Sequence, residues 1–192
     1  SRMIRIFQKE EQETKNADNV ITQAVDKNII IKDISLVSKK GGKSSHSLSL
    51  RPAAGIITMS DGVYAGKRED ISGDTLQSGL EDFGCNVKER LILPDGSNKL
   101  KPVLLDWLNQ GIELIITTGG TGLGPRDLTV PIVEDILESR LPGLEQAIHA
   151  YGRVNIKTAT LSRLCVGKVK NSIVVCLPGS PSAVSDGLDV LL

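Results

Sequence analysis

Thr117-Thr118-Gly119-Gly120-Thr121-Gly122-Leu123-Gly124-Pro125-Arg126-Asp127 is a glycine-rich segment set between two apolar patterns. Before it, Ile112-Glu113-Leu114-Ile115-Ile116 is a short, β-branched run that reads as a buried strand. After it, Ile132, Val133, Ile136 and Leu137 recur at helical spacing. Strand, glycine loop and helix in that order aim unpaired backbone N–H groups at an anion. Glycine lets the backbone approach a phosphate closely, because no Cβ intervenes. Arg126 and Asp127 add a cation and a carboxylate able to bind metal beside the same loop. A glycine loop alone more often does nothing beyond closing a βα connection. The threonines, Arg126 and Asp127 together favour a binding site.

The same alternation extends on both sides. Gly55-Ile56-Ile57-Thr58-Met59 is strand-like, and Ser72 to Phe83 carries Leu76 and Leu80 at helical spacing before Gly84, a helix stop. Val87 to Leu93 reads as a strand. Lys99 to Leu108 reads as a helix with Leu100, Leu104, Leu105 and Leu108 on one side. The helix after Thr129 is expected to run to a break at Pro142-Gly143. Leu144, Ala147, Ile148 and Tyr151 continue in a further helix. Ser172 to Leu177 is another buried strand, and Val184, Leu188 and Leu191 mark a last helix. Repeated β–α units imply an α/β fold with a mostly parallel sheet covered on both faces.

Residues 1–50 differ in texture. They are rich in lysine and serine, with one apolar patch from Ile29 to Val37 and a linker-like run from Lys39 to Ser47. Gly42-Lys43-Ser44 is not a P-loop, since Val37 stands where the earlier glycine belongs and no clear helix follows. The chain therefore divides into an extension, 1–50, and a domain, 51–192.

Composition narrows the function. The 192 residues carry a formal net charge of zero and 3% aromatics. Neither a basic footprint nor a stacking surface for nucleic acid is present. No apolar run reaches membrane-spanning length, and the start shows no signal-peptide pattern. Cys85, Cys165 and Cys176 lack metal-ligand spacing, and their odd number suits a reducing cytoplasm. His46 and His149 lie far apart, which speaks against histidine-based catalysis.

In a parallel sheet all strand C-termini share one edge, and ligands bind there. Four strands end in polar loops: Thr58-Met59-Ser60-Asp61-Gly62, Leu93-Pro94-Asp95-Gly96, the glycine loop, and Leu177-Pro178-Gly179-Ser180-Pro181. Ser60, Asp61, Asp95, Asp127 and Ser180 are thus expected to face one cleft. Carboxylates beside a phosphate-binding loop suggest Mg²⁺, which takes few carboxylates plus substrate phosphates. Phosphoryl or nucleotidyl transfer needs that charge neutralisation more than a protein nucleophile. Each piece has a plainer reading: Pro94-Asp95-Gly96 as an ordinary turn, Thr129 and Ser180 as helix caps. Their joint placement on one edge shifts the balance to a site.

Residues 53–192 resemble the molybdopterin adenylyltransferase family, which includes the G domain of gephyrin. The resemblance lies in Ser60-Asp61, Ser72-Gly73, Leu93-Pro94-Asp95, Thr117 to Gly122, Pro125 to Thr129, Pro142-Gly143, Leu161-Ser162-Arg163 and Leu177 to Ser180. It implies a three-layer α/β/α fold and a cytoplasmic homotrimer in molybdenum-cofactor biosynthesis, with other enzymes of that cofactor as further partners. It implies Mg²⁺-dependent transfer of AMP from ATP to molybdopterin, releasing pyrophosphate. On this likeness Asp95 and Asp127 are the catalytic aspartates and hold the metal. Thr118, Gly119, Gly120, Thr121, Gly122, Arg126, Thr129, Pro178, Gly179 and Ser180 bind substrate, with Ser60, Asp61 and Ser162 lining the cleft.

Two departures stand out. The family usually reads Arg-Asp-x-Thr-Pro-Glu, and Pro131 replaces that glutamate here. The family also usually continues beyond the last helix, so an end at Leu192 reads as early. Residues 24–44 resemble the C-terminal end of cyclic pyranopterin monophosphate synthase, with Val20 and Gln23 where its catalytic aspartate and lysine belong. On that likeness the extension is a remnant without synthase activity or a piece of a larger fusion; the plainer reading, favoured here, is a tail that merely pairs one strand. The alternative to an enzyme is a molybdopterin carrier or scaffold with little catalysis.

Overall fold

The computed structural model describes residues 51–155 and 162–192, so the expectations for residues 1–50 lie outside the described residues. A six-stranded sheet is built from β1 (Ala53–Met59), β2 (Asn86–Leu93), β3 (Leu114–Thr118), β4 (Ser139–Arg140), β5 (Cys165–Val169) and β6 (Ser172–Leu177). Its spatial order is β2-β1-β3-β6-β5-β4. Among the described residues six helices connect and cover it: α1 (Asp61–Tyr64), α2 (Ile71–Phe83), α3 (Leu100–Asn109), α4 (Thr129–Glu134), α5 (Pro142–Asn155) and α6 (Pro181–Leu191).

Successive strand residues point to opposite faces, so one strand serves two cores. Ile56 packs with Leu76, Leu80, Ile148, Val184 and Leu191, from α2, α5 and α6. Its neighbour Ile57 packs with Leu100, Leu104, Trp107, Val130 and Val133, from α3 and α4. Both isoleucines are 0% exposed. Burial on both faces is why β3 and β6 read as continuous apolar runs rather than alternating ones. The result is the expected three-layer α/β/α arrangement.

Four adjacent strands, β2 at one edge and then β1, β3 and β6, are parallel. Their register aligns Ile92, Thr58, Thr118 and Leu177 in one row. All four following loops therefore emerge at one edge. β5 instead returns from that edge antiparallel to β6, with Cys165 opposite Cys176. The turn between β5 and β6 holds Lys170 at φ 52. This reversal brings the residues just before β5 to the same edge as the loops.

Several boundaries differ from expectation. β3 reaches two residues further, into Thr117-Thr118, because threonine suits a strand as well as isoleucine does. The helix after Thr129 stops at Glu134, well short of Pro142. Ser139–Arg140 then pair with β5, and Pro142 opens α5 rather than breaking a helix. Proline fits a first helical turn, where its missing N–H is not needed. The same reason accommodates Pro131 in the first turn of α4.

Candidate functional site

The strand-end loops enclose an open cleft of about 770 Å³. Ser60, Asp95, Thr118, Gly119, Gly120, Thr121, Gly122, Asp127 and Gly179 line it. Sequence positions more than a hundred residues apart thus meet through sheet register alone.

The glycine loop is held from three sides. Gly119 N donates to Leu177 O at 3.1 Å. Thr129 Oγ1 donates to Gly119 O at 2.9 Å, and Thr129 N donates to Gly120 O at 3.2 Å. Arg163 closes the third side: its guanidinium donates to Gly122 O at 2.7 and 3.0 Å and to Asp127 O at 2.6 Å. Gly119 has φ +92, and a Cβ there would lie 2.2 Å from Met59 O. Only glycine fits that conformation and that close approach. The N–H groups of Gly120, Thr121 and Gly122 have no acceptor among the described residues. They remain available to an anion in the cleft.

The two candidate catalytic carboxylates are each braced through one oxygen. Asp95 Oδ2 accepts from Asp61 N at 3.2 Å, and Asp95 N donates back to Asp61 Oδ1 at 3.1 Å. Asp127 Oδ2 accepts from Gly124 N at 2.8 Å. Their second oxygens are unbonded among the described residues and belong to side chains that line the cleft. Such hard oxygen donors fit Mg²⁺, which asks for one or two carboxylates and completes its shell with phosphate and water. No group of three or more potential metal-ligating residues occurs among the described residues.

Arg126 does not line the cleft. It grips Asp61 with two bonds, 2.7 and 2.9 Å, and donates to Asp95 O at 2.6 Å. The Arg126 hydrogen bond holds the Asp61 carboxyl below its ordinary range. This clasp ties the first, second and third loops together. Thr129 lies buried beneath the glycine loop and supports it from below. It does not cap α4; Leu128 holds that position. Pro178 O accepts from Thr118 Oγ1 at 2.8 Å. Ser180 caps α6 through Ala183 N, so its plainer reading is met. Ser162 Oγ lies 2.7 Å from Thr121 Oγ1. Pro131 is exposed and lies outside the cleft lining.

A family model described as a probable molybdopterin binding domain matches residues 55–192. The chain belongs to the molybdopterin-binding domain family. A molybdenum cofactor biosynthesis bifunctional protein of Chlorobaculum tepidum is 45% identical over 170 residues, covering 88% of this chain and 54% of that protein. The chain thus spans about half the length of that relative. A molybdopterin adenylyltransferase of Pyrococcus furiosus is 29% identical over 141 residues, covering 71% of this chain and 83% of that protein. The solved molybdopterin biosynthesis Mog protein of Mycobacterium ulcerans superposes with a TM-score of 0.68 at 36% identity, covering 72% of this chain and 91% of that one.

Three contributors to this molybdopterin-binding-family cleft act through contacts that local sequence does not announce. Asp70 accepts from Gly73 N at 3.0 Å, from Thr58 Oγ1 at 3.0 Å and from Arg90 at 2.8 Å. Only the first bond, a helix cap, is local enough to read from sequence. Ser72 Oγ donates to Gly179 O at 3.0 Å, joining α2 to the last loop. Arg68 lines the cleft from the segment between α1 and α2.

Proposed function

We propose that this domain transfers AMP from ATP to molybdopterin in molybdenum-cofactor biosynthesis, releasing pyrophosphate. The observation that carries the reading is the convergence of unpaired loop amides with Asp95 and Asp127 in one cleft, in a chain of this family. The amides of Gly120 to Gly122 would hold substrate phosphate oxygens by charge-assisted hydrogen bonds. Asp95 and Asp127 would hold Mg²⁺, which supplies neutralisation of phosphate charge. The Asp61–Arg126 clasp and Arg163 keep both aspartates in place without touching substrate. Thr118 through Gly122, with Gly179, shape the surface against which the two substrates meet. No histidine base is required, because in such transfers positioning and charge stabilisation outweigh proton abstraction. A homotrimer and a cytoplasmic setting belong to the same reading and rest on the family likeness.

The test mixes the purified protein with molybdopterin, MgATP and a pyrophosphate sensor. Pterin-dependent pyrophosphate release is expected, and Asp95→Ala or Asp127→Ala should each lower it by about 100-fold or more. Tight pterin binding without pyrophosphate release would reject the enzyme and leave the carrier.

A further inference from the structure

Among the described residues that line the cleft, Arg68 is the sole basic side chain. The acids there are Glu69, Asp70, Asp95 and Asp127. Asp70 is paired with Arg90 at 2.8 Å. Arg126 and Arg163, cations nearby, are occupied by Asp61 and by the carbonyls of Gly122 and Asp127. A phosphate-bearing substrate thus meets net negative lining side chains, with Arg68 the one lining cation among the described residues.

Arg68 lies beside Gly62. Its backbone N donates to Gly62 O at 3.2 Å. A Cβ on Gly62 would lie 2.5 Å from Arg68 Nε and 2.8 Å from one terminal nitrogen, so the guanidinium lies against the bare backbone of α1. Among the described residues the guanidinium has neither a hydrogen bond nor an ion pair, although Glu69 adjoins it in sequence. An exposed guanidinium with no partner among the described residues offers a planar fork matched to two oxygens of a phosphate.

We propose that Arg68 is the phosphate-reading residue of the cleft, binding the terminal phosphate group of one substrate. The proposal rests on the adenylyl-transfer reading for the identity of the substrates. Two of them carry such a group: the polyphosphate end of ATP and the phosphate of the pterin.

Titration calorimetry of the full chain with magnesium pyrophosphate, MgATP and AMP is compared with the KM values for ATP and molybdopterin. Arg68→Ala should weaken one phosphate probe by about tenfold or more, the scale of a lost hydrogen bond to a charged group. Arg68→Lys should recover part of it. Melting temperatures of both variants should stay close to wild type. Weakened pyrophosphate and ATP with unchanged AMP assigns Arg68 to the nucleotide; a raised molybdopterin KM alone assigns it to the pterin. Equal binding and equal KM values for wild type and Arg68→Ala throughout, for molybdopterin included, overturn the proposal. Calorimetric binding lost in Arg68→Ala while wild type releases no pyrophosphate would keep Arg68 and reject the transfer reaction.

Discussion

Asp61 gives up both carboxylate oxygens to neighbours, and that choice has a pH signature. Arg126 depresses its carboxyl below the ordinary 3.8. A depressed acid stabilises the fold above its unfolded value, and that contribution is lost as pH falls through the folded value. The clasp therefore stays intact across neutral pH and opens only in acid below 3.8. Carboxyl NMR titration of Asp61 should place its midpoint below 3.8, and Arg126→Ala should raise it; an unshifted wild-type midpoint contradicts the clasp. At this scale the sequence announced residue types better than roles. Arg126 reads as a cation for substrate, yet its geometry spends it on Asp61 and Asp95. Thr129 reads as a cap or a ligand, yet it props the glycine loop. Both roles depend on partners 10 to 65 residues away, which local spacing does not encode.

Elements were legible where a period was long and stops were clear. Leu76 and Leu80 followed by Gly84, in the left-handed region at φ 100, fix α2 to its last residue. α4 ends sooner than its pattern suggests, because Ile136 and Leu137 keep a helical spacing after the helix has ended. Both are partly buried against the second core, so their apolar character comes from packing rather than from periodicity. The β5–β6 reversal carries no glycine and was invisible, although Lys170 adopts positive φ there. That reversal matters for function because it delivers Arg163 to the glycine loop. Arg163→Ala should cost about 1–3 kcal/mol in denaturant unfolding, the range for hydrogen bonds to a charged donor. It should also lower kcat of pyrophosphate release with little change in KM, since Asp127 loses its orientation. Arg163→Lys should not restore kcat, because a point charge cannot span the carbonyls of Gly122 and Asp127. Full activity of the alanine variant would remove Arg163 from the positioning scheme.

Over the whole molecule, the fold class and the shared edge followed from βα alternation, whereas the cleft's internal bonding did not. The physics of parallel strands places four loops together regardless of their chemistry. What the loops do to one another is decided by contacts such as Ser72 to Gly179, 107 residues apart. A cleft made this way has a thermodynamic corollary. No stretch of the chain contains it, so the unfolded ensemble has nothing with which to hold the ligand. Occupancy must then tilt the global folding equilibrium, by about 2.7 kcal/mol at a ligand concentration one hundred times Kd. MgATP or pyrophosphate should raise the melting temperature of the domain as one cooperative unit, and differential scanning calorimetry would register it. A ligand that binds without shifting that transition would have to sit on a locally formed surface. The domain is in this sense its own thermometer for substrate: tightness at the cleft is readable as heat resistance in helices that never touch it.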